Sequence, residues 1–276
     1  IQARPALAVS SLAGLYTLAS DRLQYHHNRY ALLLYAFLLA LTPCDKSWRL
    51  AGKRASADET GPMWAVYLAR AQVSLVYLAS GGSKLFDPDW RGGLMMQGRF
   101  LEYGYQAVDK GVPHAVVDFF SQPFMASLVA KGAIGSELFI ACALWSKKLR
   151  RIALWWGMLF HLTIESTSSV ELFTWVTLVA YAFFVTMDAR ARKFEADGST
   201  KLGRFLVRGM RGLDWLSRFD SRTWRPDDVG SKHVVVVTRR DGKRVTGIHA
   251  WVAVAEATPI LFPMWAPLAL IASFRS

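Results

Sequence analysis

The chain has 276 residues, 53% of them hydrophobic, with 11 Trp and a mean hydropathy of +0.20; the apolar residues come in blocks, which argues against an ordinary soluble protein and for a membrane protein with several spans. The net charge of +12 does not point to nucleic acid, because Lys and Arg sit mainly in short loops beside apolar runs and in the last third, the distribution of loops facing anionic lipid. Two cysteines, Cys44 and Cys142, argue against a disulfide framework and a cysteine-based metal site.

The chain opens at Ile1 without a methionine, which leaves room for an upstream span or signal. Six apolar segments follow: Pro5 to Ala19, Arg29 to Pro43, Met63 to Ala79, Ala126 to Trp145, Ile152 to Ile164 and Val170 to Met187. Several need flanking residues to reach the roughly 20 that a span requires. The loop Lys147-Lys148-Leu149-Arg150-Arg151 is the strongest orientation signal, and positive loops stay in the cytoplasm. Alternating from it puts the basic stretches Arg49 to Arg54 and Asp188 to Lys193 inside as well. Asp21 to Asn28, Lys84 to Pro123 and Glu165 to Ser169 then fall outside. The long connection Lys84 to Pro123 carries Trp90, Met95, Met96, Phe100, Tyr103 and Tyr105, too apolar for a free loop, and reads as a helix lying in the outer interface over Lys84.

After Met187 the character changes. Asp188 to Lys201 is charged, and Leu202 to Phe219 has helical periodicity with Leu206, Met210, Leu213 and Leu216 on one face. His233 to Thr238 reads as a strand, Arg240-Asp241-Gly242-Lys243 as a turn and Arg244 to Thr246 as a second strand. The final run, Ala250 to Phe274, is interrupted by Pro259, Pro263 and Pro267, which favours a globular or membrane-surface segment over a seventh span.

Within the apolar blocks, Ser80-Gly81-Gly82-Ser83-Lys84 stands out. The two glycines allow the backbone to leave helical geometry just before Lys84, and a lysine held against apolar surroundings is a candidate base. A lysine ending an apolar helix also commonly reaches for the polar interface. Glu137 and His161 each lie ten residues from the basic loop joining their segments, so at 1.5 Å per residue both sit roughly 15 Å deep. A hydrogen-bonded pair is the economical arrangement for them, whether as a clamp between helices or as part of a site. Glu165 shares the His161 face one turn further out. Arg70, mid-segment with Gln72 close by, needs an acidic partner, for which Glu137 is the natural candidate. His26 and His27 read as interface residues or as ligands. No HExxH, phosphate-binding glycine loop, nucleophile elbow or CxxC is present, which leaves intramembrane acid-base chemistry or a structural role.

Arg70-Ala71-Gln72, Tyr77, Ser80-Gly81, Lys84-Leu85, Asp89-Trp90, Gly92, Glu137, His161-Leu162 and Phe173, with Tyr25 to Tyr30, together resemble the HTTM domain of bacterial membrane proteins. That domain is homologous to the membrane part of vitamin K-dependent gamma-glutamyl carboxylase. The resemblance covers about residues 5 to 187. It implies a bundle of about six spans over 1–190, with Lys84 as the base that deprotonates a hydroquinone and His161 supporting it. A second carboxylase histidine would fall nearest Asn28. Glu137 and Glu165 join Lys84 and His161 as candidate catalytic residues, while Arg70, Tyr77 and Trp90 become candidates for holding a cofactor, a quinone or lipid. The last part, 191–276, resembles the DCC family of thioredoxin-like proteins through Asp197-Gly198-Ser199-Thr200-Lys201-Leu202-Gly203, Leu213-Asp214-Trp215, Asp241-Gly242, Thr246-Gly247 and Ala250. Thr200 and Gly203 stand where that family has its two cysteines. Thiol-disulfide exchange needs a thiolate, so it is not expected here.

Two functions follow. One is a non-catalytic subunit or scaffold of a membrane complex in the bacterial inner membrane, both ends cytoplasmic, contacting lipids and other membrane subunits. The other is a carboxylase-like or quinone-dependent enzyme with Lys84 as base. A transporter is disfavoured because no inverted repeat is evident.

Overall fold

The run beginning at Trp64 does not break at its glycines: a single helix continues from Trp64 to Phe86, through Gly81 and Gly82 and past Lys84. The expected departure from helical geometry is absent because neither glycine adopts a positive φ; Gly81 serves packing instead. This helix belongs to the first of two compact units, Ile1–Val185 and Thr186–Ser276. The computed structural model describes residues 3–20, 27–42, 63–109, 111–167, 172–185, 192–214, 218–224 and 234–274. Tyr25, His26, Cys44, the Arg49 to Arg54 loop, Trp215 and Leu216 lie outside the described residues, as do the side chains of His27, Asn28 and Tyr105.

The first unit is helical. Its elements are α1 (Ala3–Ser20), α2 (His27–Ala40), α3 (Trp64–Phe86), α4 (Pro88–Gly92), α5 (Leu94–Asp109), α6 (His114–Ser121), α7 (Pro123–Ala143), α8 (Arg150–Thr167) and α9 (Phe173–Ala180), the last continued by a 3-10 turn, Tyr181–Phe184. Each of the six apolar segments therefore holds a helix. By length and composition one helix among the described residues, Pro123–Ala143, is long and apolar enough to cross a bilayer. The others miss for separate reasons: α3 and α8 carry the charged side chains of interest, α1 carries Arg4 among several polar residues, and α2 and α9 are short.

Among the described residues the most extensive helix–helix contact is between α3 and α7. On α3 the buried stripe is Ala65, Ala69, Val73, Tyr77 and Gly81, at intervals of four; on α7 it includes Ala126, Ala130, Ile134, Glu137 and Ala141. Small residues let helix backbones approach closely, which is how helices associate where lipid removes the hydrophobic drive. Ile140, Leu144, Tyr181 and Phe184 are buried beside these small residues, while many other large apolar side chains point outward, among them Val9, Tyr16, Leu75, Leu78, Phe124, Leu128, Trp175 and Val179. An outer shell so rich in large apolar side chains suits an apolar surrounding.

The connection after α3 is three helices rather than one. The Asp87 carboxylate accepts from the amides of Asp89 (2.8 Å) and Trp90 (3.4 Å), and Pro88 fills the first helical position. Gly93, at φ 88°, ends α4 where any Cβ would run into the backbone of Ser127 on α7. This tight turn folds Trp90 back toward Lys84.

The second unit contains β1 (Arg192–Asp197), α10 (Lys201–Leu213), β2 (Phe219–Trp224), β3 (Val235–Thr238), β4 (Arg244–Thr246), α11 (Gly247–Ala257), a 3-10 turn (Pro259–Met264) and α12 (Trp265–Ser273). Strand order is β2-β1-β3-β4, with β1 parallel to β2 and the other pairs antiparallel. Phe194, Ala196, Phe219, Val235 and Val237 meet Val207 and Met210 of α10 and Ala250, Ala253, Val254 and Ala257 of α11 in one core. β1 lies in the stretch expected to be merely charged, and β2 takes Phe219, expected to end the preceding helix, which stops at Leu213. The terminal apolar run is bent, not one straight helix: α11 ends at Ala257, and Pro259 starts the 3-10 turn.

Phe194→Ala is expected to remove about 3–5 kcal/mol from the second unit, since Phe194 is 1% exposed at the centre of its core. Amide hydrogen exchange should show protection lost across β1 to β3 and kept in α7; parallel loss in both would show that the units unfold together.

Candidate functional site

The stripe of α3 that faces α7 turns polar at its far end. Gly81 makes this possible: a Cβ there would lie 3.1 Å from the Glu137 Cβ and from Leu138. With only hydrogen in the way, the Glu137 side chain reaches across to Lys84, one turn from Gly81. Lys84 Nζ donates to Glu137 Oε1 at 2.5 Å and to Ser80 Oγ at 3.0 Å, and Ser80 Oγ donates to the same carboxylate oxygen at 3.1 Å. The side chains are 19% and 7% exposed for Lys84 and Glu137. Lys84 Nζ also lies 4.9 Å from the centre of the Trp90 ring, on which the Arg99 guanidinium rests at 5.4 Å. The lysine is thus fastened on three sides.

A second cluster lies about two turns back along α3 and is built on His161, which is fully buried. The Tyr77 hydroxyl hydrogen-bonds His161 Nε2 at 2.5 Å and also the Tyr181 hydroxyl. Phe160, Phe173, Tyr77 and Tyr181 surround the imidazole with ring centres 5.2 to 6.3 Å away. Gly157 makes room for Tyr181, whose hydroxyl occupies the space a Cβ would take. Thr174 Oγ1 donates to the His161 carbonyl at 3.3 Å and ties α9 to α8. The string Tyr181, Tyr77, His161 can run in either direction, and reversing it moves the ring proton between Nε2 and Nδ1.

Two expected pairings are replaced. Glu137 is not hydrogen-bonded to His161: its Oε1 serves Lys84 and Ser80, while Glu137 Oε2 and His161 Nδ1 are buried without a hydrogen-bond partner. Arg70 does not reach Glu137 either. Its Nε donates to the Phe183 carbonyl at 2.6 Å, and its guanidinium lies over the rings of Tyr67 (5.3 Å) and Phe184 (5.6 Å). Lysine wins the carboxylate because it lies on the stretch of α3 that meets Glu137, while Arg70 is fourteen residues back along the helix. Glu165, half-buried, keeps Oε2 buried and without a hydrogen bond. The structure therefore joins Lys84, Glu137 and Trp90 in one cluster and Tyr77 and His161 in another, with Arg70 and Glu165 apart. Tyr181 was missed by sequence reasoning, although it is the one tyrosine in the run Val170 to Met187.

The Lys84 amine is engaged by the Glu137 carboxylate and the Ser80 hydroxyl, so as it stands it ties α3 to α7 and does not project free toward a reacting group. The neutral Tyr-His-Tyr string can relay a proton but has no charge partner bonded to it. Among the described residues no group of three His, Cys, Asp or Glu side chains could hold a metal ion.

The family model described as the HTTM domain matches residues 4–188. No curated protein and no solved structure matches the chain.

Lys84→Met is expected to destabilise the first unit by about 3 kcal/mol, because a buried carboxylate loses its counter-charge. The double variant Lys84→Met with Glu137→Gln should recover most of that loss. Thermal unfolding in one detergent, read as a double-mutant cycle, checks this; simple additivity would show that the two side chains do not act as a pair.

Proposed function

Because the chain belongs to the HTTM family, which is membrane-associated, we propose that it is a non-catalytic subunit or scaffold of a membrane complex in the bacterial inner membrane. The observation that carries this reading is the fastening of Lys84 by Glu137 and Ser80. The group best suited to be a base is used as a tie between α3 and α7. The many exposed large apolar side chains of the helices support it too, since they offer apolar surfaces to lipid and to partner spans.

In this reading about six segments cross the bilayer, both ends are cytoplasmic, and the second unit is a degenerate DCC-type, thioredoxin-like domain. Its strand order, with a parallel β1 and β2 joined by α10 and an antiparallel β3 and β4 followed by α11, supports that likeness. In place of the cysteines, Thr200 Oγ1 caps α10 by accepting from the Gly203 amide at 2.9 Å. Such a domain keeps a surface for docking without redox chemistry.

A second reading, the carboxylase-like or quinone-dependent enzyme, is favoured by one observation. Glu137 Oε2 and His161 Nδ1 are buried and unpartnered, atoms that a bound molecule would satisfy. Lys84→Arg separates the two readings, because arginine keeps the charge and the pairing but cannot give up its proton. The chain extracted in mild detergent should come with partner spans, and Lys84→Arg should leave that assembly intact. Hydroquinone turnover lost in Lys84→Arg would overturn the scaffold reading.

Orientation is tested by single cysteines at Ser83 and Ser146, with Cys44 and the exposed Cys142 first replaced by serine. Membrane-impermeant reagents should label the two positions from opposite sides; labelling from one side overturns the arrangement.

A further inference from the structure

The outward face of α10 carries no acidic residue and has an aromatic ring at its centre. Its sequence, Lys201-Leu202-Gly203-Arg204-Phe205-Leu206-Val207-Arg208-Gly209-Met210-Arg211-Gly212-Leu213, buries Gly203, Val207 and Met210 against the sheet. At 100° per residue the opposite side is centred on Phe205, with Lys201, Arg208 and Gly212 around it and Leu202 on one flank. Phe205 is 69% exposed and Leu202 55%. The two flanking arginines are drawn inward: Arg204 donates to the carbonyls of Gly198 (2.6 Å) and Ser199 (3.3 Å), and Arg211 to that of Ser221 (2.8 Å). Lys201 and Arg208 are exposed on either side of the ring.

Nearby carboxylates are occupied or face elsewhere. Asp214 accepts from the amides of Arg218 and Phe219, and Asp197 from Ser199. Glu195 and Asp220 alternate with Phe194 and Phe219 along their strands and so lie on the other face of the sheet. Nothing acidic among the described residues neutralises this helix face.

We propose that α10 docks the second unit on the anionic phospholipid surface of the membrane in which the chain sits, with Phe205 and Leu202 entering the boundary between headgroups and acyl chains and Lys201 and Arg208 meeting lipid phosphates. Charge complementarity selects an anionic occupant. The exposed ring and leucine select lipid over nucleic acid or an acidic polypeptide, because a basic face with apolar residues at its centre gains from both parts of an interface. The proposal rests on the membrane reading of the first unit.

The test uses the full chain in bilayer nanodiscs of phosphatidylcholine, with and without phosphatidylglycerol. A nitroxide is attached at Gly212→Cys, after Cys44 and Cys142 are replaced by serine; a Cβ at Gly212 has nothing within 4 Å. The control label is at Asp220→Cys on the far face of the sheet. In anionic discs the label at 212 should collide readily with oxygen and be shielded from a water-soluble nickel chelate, and the label at 220 should not. Each of Lys201→Glu and Arg208→Glu should lower the docked-to-undocked ratio about fivefold or more, and Phe205→Ser should reduce it as well. These surface positions leave the core untouched, and retained amide protection in β1 to β3 confirms folding. A water-exposed label at 212 in both lipids, or indifference to the charge reversals, overturns docking alone. Failure of the chain to enter bilayers would overturn the membrane reading, and docking with it.

Discussion

Glu137 is a carboxylate placed where α7 packs on Gly81 of α3, and the need to give it a counter-charge governs how α3, α4 and α7 come together. An unpaired carboxylate in such surroundings is costly. A partner within reach demands backbones near enough for side chains to meet, and Gly81 supplies that nearness. Once α3 and α7 touch there, Val73 and Tyr77 join Ile140, Ala141 and Leu144 in one core and extend the contact. Trp90 then closes over the lysine because Asp87 and Gly93 turn the chain sharply back. Lys84, Glu137 and Ser80 are better understood as a joint than as three separate reactive groups.

His161 answers the same problem without charge. A neutral imidazole bonded to tyrosine hydroxyls can lie deep among aromatic rings, where an ion could not. Tyr77 is the residue that belongs to both arrangements: it is on the stripe that faces α7, and its hydroxyl reaches His161 on α8 and Tyr181 after α9. The helices that hold the polar groups are therefore cross-linked through α3, and changes on that helix are felt in both clusters.

The apolar blocks made the helices of the first unit legible, because each block is a run of helix-compatible residues bounded by charge or proline. Lys84, Glu137, His161 and Tyr77 were also legible, as polar groups at depths where polarity needs a reason. Their partners were not. Depth pairs Glu137 with His161, whereas the direction in which each side chain leaves its helix pairs it with Lys84, and that direction depends on a crossing fixed by glycine and alanine, residues with no chemistry to notice. Arg70 likewise found a carbonyl and two rings instead of a carboxylate. In the second unit β3 and β4 announced themselves by valines and a turn. β1 and β2 did not, since Arg192–Asp197 and Phe219–Trp224 each carry few apolar residues and gain their core positions from α10.

The first turn of α10 sets how closely that helix can lie on the sheet. At Gly203 the helix lies so close to Asp197 that a Cβ would overlap the backbone of that residue. Any larger residue at this position would have to push the turn after β1 away from the helix, and with it the seat of Val207 and Met210 on Phe194. The spacing between sheet and helix is therefore written at one position that itself makes no side-chain contact, and a search for tolerated substitutions in this unit would find position 203 closed while the exposed positions beside it stay open.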